Sequence, residues 1–404
     1  MRVERPSFPW EKNPVIFAMM NSLELFAGAG GLGIGLHNAG FRPVDVFEWD
    51  SYCCDTIREN KARGIKAVKQ WKVTQGDVRT IDFSPYQDKV TLVSGGPPCQ
   101  PFSLGGRHGA YDDERDMFPH AIRAVRQTRP RAFIFENVKG LTRASFRNYF
   151  EYIKLQLEHP EIKPRRNEEW VAHLSRLQDH HTSGSRSGLN YRVVTQVLNA
   201  ADYGVPQRRE RVFFVGFRED LGINWHFPNP THSQQTLAWE QVHGDYWERH
   251  AVARKGRILP RNADGVEPEL PIGAEHPWRT VRDALIGIPD PELEPNASSK
   301  FLNHRFQDGA RSYKGHTGSP LDEPAKTLKA GVHGVPGGEN MLLRPNGSVR
   351  YFTVRESARL QTFPDEFLFH GSWTETMRQL GNAVPVDLAR VVGQDVARHL
   401  KEAA

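Results

Sequence analysis

Eight residues from Phe26 to Gly33, Phe-Ala-Gly-Ala-Gly-Gly-Leu-Gly, carry four glycines between an apolar run at 23–26 and a helical stretch reaching about Ala39. So many glycines let a strand turn directly into a helix and let backbone approach whatever lies above it. The alternation continues. Residues 44–48 read as a second strand, followed by a helix over 51–62. Residues 90–94 are a further strand, a helix follows around 118–129, and 132–135, 191–198 and 211–215 supply more strands. Strands alternating with helices predict an α/β fold, a doubly wound, mostly parallel sheet of Rossmann-like kind.

The 404 residues suggest two or three domains at about 100–200 residues each. Residues 1–19 are polar, proline-bearing and aperiodic, and are expected to be a disordered lead. A catalytic and cofactor-binding domain is expected over 20–217, with a charged surface insertion at 158–188 whose His180-His181 pair reads as a solvated loop. Residues 218–350 are rich in Pro, Gly, His and Trp and read as a separate loop-rich domain, with a return to the first domain over 351–404. No run approaches the ~18 apolar residues that a membrane span needs, and 1–17 lack the apolar core of a secretory signal. Three cysteines, two of them adjacent, make no disulfide framework and fit a reducing cytoplasm. A net charge of +5 permits nucleic acid as a partner without demanding it. No metal is expected.

Two features at strand ends carry chemistry. The spacing Gly28-x-Gly30-x-x-Gly33, with Glu48 ending the next strand, suits a nucleoside cofactor held at a helix N-terminus with an acid on its ribose. Nicotinamide and S-adenosylmethionine enzymes share that pattern. Ser94-Gly-Gly-Pro-Pro-Cys99 constrains the backbone just before a cysteine at the carboxyl end of a strand, where ligands bind in such sheets. A packing cysteine has no need of this, whereas Cys53 and Cys54 lie on a helix and read as packing residues. Glu136, within Glu136-Asn137-Val138, and the arginines of Gln207-Arg-Arg-Glu-Arg211 add an acid and anion stabilisers at other strand ends.

Taken together, these blocks resemble the DNA (cytosine-5) methyltransferase family of bacterial restriction-modification type, from Leu23 nearly to the end of the chain. The similar blocks are Phe26–Gly31, Glu48-Trp49, Asp77, Pro97–Gln100, Glu136–Val138 and Gln207-x-Arg209-x-Arg211. Two closing blocks, Arg355 to Pro364 and Gly381-Asn-Ala-Val-Pro385, complete the order. The resemblance implies methyl transfer from S-adenosylmethionine to carbon 5 of a cytosine flipped out of duplex DNA. It implies Cys99 as the nucleophile, active as thiolate, and Glu136 as a carboxyl of raised pKa on the base. Arg211, with Arg209 beside it, would stabilise charge on the carbonyl oxygen. For the cofactor it implies Phe26, Ala27, Gly28, Gly30, Gly31, Glu48, Trp49, Asp77, Val78, Pro98, Asn382 and Ala383. Backbone N–H groups near Pro385 would take the methionine carboxylate.

Residues 218–349 match no catalytic block and are expected to hold the target-recognition domain. Their 15 basic and 17 acidic residues make no uniformly basic face, but 299–349 alone hold seven basic against four acidic. Base reading is therefore assigned to the stretch from Lys300 to Arg344, and 224–295 to its support. Candidate DNA contacts are Gln100, Ser103, Arg305, Arg311, Lys314, Lys326 and Lys329. Double-stranded DNA is the expected partner of a monomer in the bacterial cytoplasm, at the nucleoid, and the resemblance admits a cognate restriction endonuclease. An RNA cytosine methyltransferase, a non-catalytic DNA-binding relative and a nicotinamide dehydrogenase are the competing readings. The long stretch between Arg211 and Thr353 favours DNA over RNA, because a sequence reader needs surface outside the catalytic sheet. The intact Cys99, Glu136 and Arg211 argue against a non-catalytic relative, and a dehydrogenase has no use for the cysteine block.

Overall fold

The computed structural model describes residues 19–98, 116–184, 187–261, 263–269, 276–314, 317–330 and 340–403. Residues 1–18 of the lead expected at 1–19, together with Cys99, Gln100 and Ser103, lie outside the described residues.

Seven strands form one sheet in the order β3-β2-β1-β4-β5-β7-β6. They are β1 (Met20–Leu25), β2 (Phe41–Glu48), β3 (Val73–Gln75), β4 (Leu92–Gly95), β5 (Ala132–Val138), β6 (Tyr191–Asn199) and β7 (Glu210–Arg218). β3, β2, β1, β4 and β5 run parallel, whereas β7 is antiparallel to both β5 and β6. The doubly wound, mostly parallel sheet expected from the sequence is the fold. Strand order reverses between β1 and β4, so a crevice opens beyond their carboxyl ends.

Both faces of the sheet are covered. On one, Leu23, Leu25, Val93, Phe133, Phe135 and Phe214 pack against α3 (Phe118–Thr128), α4 (Arg147–Glu158) and α5 (Trp170–Thr182). On the other, Phe41, Leu92, Ile134, Phe213 and Val215 pack against α1 (Gly31–Asn38) and the final helix. Between these elements, α2 (Ser51–Ala62) is capped by Asp50, which accepts from Cys53 N–H at 2.9 Å.

The insertion at 158–188 corrects the expectation of a solvated loop. Its residues 170–182 are α5, and Leu174 and Leu177 are buried in the sheet's own core. His173 is fully buried, bonded to Tyr152 Oη at 2.8 Å and to the Ile162 carbonyl at 2.9 Å. His180 and His181 occupy the last helical turn.

Beyond β7 the chain makes two small sheets, β8 (His232–Ser233) with β9 (His276–Pro277), and β10 (Ser319–Pro320) with β11 (Met341–Leu343) and β12 (Val349–Tyr351). Helix α6 (Gln234–Val242) and the single turns α7 (Tyr246–Arg249), α8 (Val281–Ala284) and α9 (Pro295–Ser298) lie among them. Two separate apolar clusters hold this region. Leu237, Tyr246, Trp247 and Trp278 gather on Ala201, while Val281, Ala325, Leu328 and Leu342 gather on Phe352 and Leu360. Trp225 and Phe227 pack instead with the final helix, and Trp225 Nε1 donates to Asp395 at 2.7 Å. The chain then returns through α10 (Val354–Leu360), α11 (Trp373–Asn382) and α12 (Val386–Glu402). A Thr353–Glu356 capping box starts α10, and Glu356 also takes both guanidinium nitrogens of buried Arg350 at 2.7 Å.

Candidate active site

The glycine turn leaves β1 at Phe26, whose φ of 54° is already left-handed, and reaches α1 through Gly28 (φ 54°) and Gly30 (φ 88°). These glycines serve different ends. Space is open where a Gly28 Cβ would lie, whereas a Cβ on Gly31 would collide with the Val384 carbonyl oxygen. Gly31 thus lets α1 press against the start of α12 and brings Ala383 beside the turn. Helix α1 begins with no side-chain cap and no acid in its first turn, which leaves its N-terminal positive end for an anion or a polar ligand.

Glu48 ends β2 directly beside this turn. Its carboxylate accepts Gly28 N–H at 2.7 Å and the N–H groups of Trp49 and Asp50 at 2.9 Å each. Burial raises its pKa, and those three N–H bonds oppose the shift. Trp49, the next residue, is 72% exposed. Asp77 lies at the next strand end, where Arg79 binds its carboxylate at 2.6 Å and holds its pKa low. Val78 is buried in the sheet core. Ala27 is buried too, with its N–H on the Phe47 carbonyl.

Asn382 is exposed at the end of α11, next to Ala383. The expectation of free N–H groups at the start of α12 is corrected. Val386 N–H donates to the Gln361 carbonyl at 3.0 Å, and Asp387 N–H donates to Thr362 Oγ1 at 2.9 Å. Ala383 N–H donates to the Gln379 carbonyl at 3.0 Å. The first two N–H groups of the helix are thus taken from within the fold, and the Asn382 side chain is exposed beside them.

On the other side of the switch point, β4 runs into Gly96-Pro97-Pro98. Asn137 Nδ2 holds the Pro97 carbonyl at 2.9 Å, and Met117 N–H holds the Pro98 carbonyl at 3.0 Å. The chain that leaves at Pro98 therefore comes back to the same point. Glu136 lies alongside, with Oε2 3.3 Å from where a Gly96 Cβ would be. Because β7 is antiparallel to β5, its first residues meet the carboxyl end of β5, and Arg211 pairs in register with Val138. Arg211 Nε stands 2.8 Å from Glu136 Oε1, both side chains nearly out of solvent. Burial raises the Glu136 pKa, while Arg211 and then Arg209 pull it down. A carboxyl so placed can hold a proton or share one with a ligand.

Arg209 is fully buried, and its hydrogen bonds run to backbone. Nη1 donates to the Leu328 carbonyl at 3.0 Å and Nη2 to the Gly381 carbonyl at 2.7 Å. It ties the start of β7 both to the segment after β10 and to the residue before Asn382. Gln207 adds a second tie, accepting Leu328 N–H at 2.9 Å and donating to Gln361 at 3.2 Å. Sequence reasoning gave Asn137 and Gln361 no role. Buried amides of this kind have no spacing signal, because their partners lie on distant elements.

Among the basic candidates, Arg305, Arg311 and Lys314 are exposed and form no ion pair among the described residues. Lys326 Nζ bonds Thr317 Oγ1 at 3.0 Å. Lys329 is exposed, with its backbone held from both sides by Asn340. Arg344, the far end of the expected reading stretch, is clamped by Asp290 at 3.0 Å and Glu292 at 2.7 Å, which gives it a structural partner rather than a free face. Cys53 and Cys54 are buried on α2, where burial pushes both thiols up, Cys54 to about 12.

A glycine turn thus lies on one side of the switch point of an α/β sheet, and an acid–arginine pair beside a Pro-Pro turn lies on the other. The C-5 cytosine-specific DNA methylase model matches residues 20–161 and 183–398. The chain is 31% identical over 388 residues to the Type II methyltransferase M.Eco47II of Escherichia coli, covering 94% of this chain and 79% of that one. It is 30% identical to M.NgoMIV of Neisseria gonorrhoeae, covering 94% and 98%. Among solved structures, a putative DNA modification methyltransferase encoded within a prophage of E. coli superposes with a TM-score of 0.58 at 21% identity, covering 95% of this chain and 99% of that one. The S. pombe Dnmt2 methyltransferase superposes with a TM-score of 0.54 at 16% identity, covering the same shares. The chain belongs to the C-5 cytosine-specific DNA methylase family, and its activity is that of a DNA cytosine-5 methyltransferase. No helix among the described residues is long and apolar enough to cross a membrane.

Proposed function

We propose that the chain methylates carbon 5 of a cytosine flipped out of a specific duplex DNA sequence, with S-adenosylmethionine as donor and Cys99 as covalent nucleophile. The observation that carries this is the Glu136–Arg211 pair, buried beside Gly96 in the Gly-Pro-Pro segment that precedes Cys99 in the sequence. Carbon 5 of cytosine is a poor nucleophile. Addition of the Cys99 thiolate to carbon 6 pushes the ring's electron pair toward carbon 5 and makes it one. Negative charge develops over the ring as this happens. Glu136, holding a proton against ring nitrogen 3, and Arg211, on the carbonyl oxygen, stabilise that charge where water is excluded. After carbon 5 has been alkylated, loss of its proton to a base restores the double bond and expels the thiolate.

The residues on the cofactor side fit the donor. Gly28 leaves open space, the α1 N-terminus is uncapped, Glu48 is aimed at the turn, and Trp49 is bare. Glu48 would hold the ribose hydroxyls, Phe26 and Trp49 the adenine faces, Asp77 its amine and Asn382 the methionine end. When bound, the donor supplies an electrophilic methyl group. Glu48→Ala is expected to weaken S-adenosylmethionine binding by about 1–3 kcal/mol, the scale of stranding partners of a charged acceptor. Calorimetric titration checks it, and unchanged affinity would remove Glu48 from the ribose.

Duplex DNA is the proposed substrate and the cytoplasm the proposed compartment. The Type II names of the relatives support a cognate endonuclease that shares the target. Target reading is assigned to 299–329, where Arg305, Arg311 and Lys314 stand free. Alanine at a base-reading arginine should cost about 1–3 kcal/mol and relax preference at one base pair, whereas alanine at a phosphate-binding lysine should weaken all sites alike. Binding of each variant to a randomised duplex library separates the two. If only changes within 224–298 alter base preference, the assignment is wrong. Bisulfite sequencing of DNA from cells expressing the chain tests the whole reading. It expects one methylated motif, and unmethylated DNA beside a folded, expressed protein would overturn it.

A further inference from the structure

Three metal-ligating groups meet far from this crevice, where two helices end. Glu158 is the last residue of α4, His159 follows it, and His181 lies in the last turn of α5. One ligand atom from each lies within 4.8 Å of the other two. His159 Nε2 stands 3.0 Å from His181 Nδ1, and Glu158 Oε2 stands 3.5 Å from that same Nδ1. Ligand atoms about 2.0–2.1 Å from a tetrahedral zinc stand roughly 3.4 Å apart, so these separations suit one small ion.

The surroundings complete the pattern. His159 Nδ1 faces Asn190 Oδ1 at 2.8 Å, and the Asn190 amide nitrogen is turned to the carbonyls of Ser187 and Gly188. Asn190 therefore accepts from Nδ1–H and leaves the Nε2 lone pair pointing at the cluster. An outer partner of this kind orients a metal-bound histidine. Two helix C-termini converge here, and their dipoles favour positive charge. Glu158 and His159 are buried, while His181 keeps half its side chain in solvent, which leaves an entry path. Among the described residues, Lys154 Nζ is the one lysine or arginine group paired with the cluster, 3.5 Å from the other Glu158 oxygen. The family model skips residues 162–182, which include all of α5 and His181, whereas Glu158 and His159 fall within its match.

We propose that Glu158, His159 and His181 bind a divalent transition metal, zinc by preference, which clips α5 to the end of α4. Two imidazoles and one carboxylate form a borderline donor set that suits zinc better than calcium or magnesium. A water molecule would complete the tetrahedron, and the role is structural.

The test uses tag-free full-length protein, dialysed against EDTA and titrated with zinc chloride in competition with a chromophoric chelator. Wild type should take up one equivalent and melt at a higher temperature with zinc than without. His181→Ala, at a half-exposed position, should keep the fold and basal methyl transfer and lose both the equivalent and the thermal shift. Asn190→Ala should weaken zinc binding roughly 10- to 100-fold relative to wild type. No zinc uptake by wild type overturns the proposal, because the cluster is then a hydrogen-bonded histidine pair. Equal uptake by His181→Ala also overturns it, because the ion then sits among other histidines.

Discussion

Cys99→Ser is expected to lower methyl transfer by at least about 10⁴-fold, within the range that deleting a nucleophile costs other enzymes. A serine hydroxyl at the same place is far less acidic than a thiol and does not add to the pyrimidine ring at neutral pH. The protein should still fold and bind duplex, because the ends of its loop are fixed by other groups, Asn137 on Pro97 and Met117 on Pro98. The other two thiols cannot stand in for it, since burial on α2 keeps both protonated. A duplex with 5-fluorocytosine at the target should trap wild type covalently, because fluorine is not lost as a proton is. Turnover by Cys99→Ser near the wild-type rate, or trapping through Cys53 or Cys54, would sink the mechanism.

The catalytic half of this fold was legible because local signals and the global arrangement coincide there. Glycine density fixes where β1 ends, and the helix over 51–62 begins after an aspartate that does cap it. Strand ends in a doubly wound sheet converge on one crevice, so reading where Glu48, Pro98 and Glu136 fall along their strands already placed them near one another. Failures came where a partner lies far away in sequence. The apolar spacing of Trp170, Leu174 and Leu177 marks a helix face, but the charged residues around it made the segment look solvated. The N–H groups at the start of α12 look free in sequence, and only the fold brings Gln361 and Thr362 onto them. Arg344 counts as one more basic residue until Asp290 and Glu292 meet it. Beyond β7 the region has several small cores instead of one, and no single periodicity describes it.

Substitution of Arg209, whose guanidinium donates to backbone carbonyls, should have the second largest effect. Its guanidinium holds the Leu328 and Gly381 carbonyls in a fully buried setting. Arg209→Met strands both, at about 1–3 kcal/mol for each buried acceptor. A melting temperature several degrees lower would report that loss, and any structural residue could produce it. The pH profile separates the roles. Burial raises the Glu136 pKa, and Arg209 is one of two cations that restrain the rise. Without that cation the Glu136 pKa climbs further, so the carboxyl keeps its proton to higher pH. If protonated Glu136 is the working form, the alkaline limb of kcat against pH must move upward in Arg209→Met. Arg209→Lys retains the charge but not the two-pronged grip on the carbonyls. It should therefore lose stability while leaving the limb near its wild-type position. A limb unmoved in Arg209→Met would mean that Glu136 does not set it, and a limb moved equally in Arg209→Lys would mean that geometry, not charge, is what Arg209 contributes.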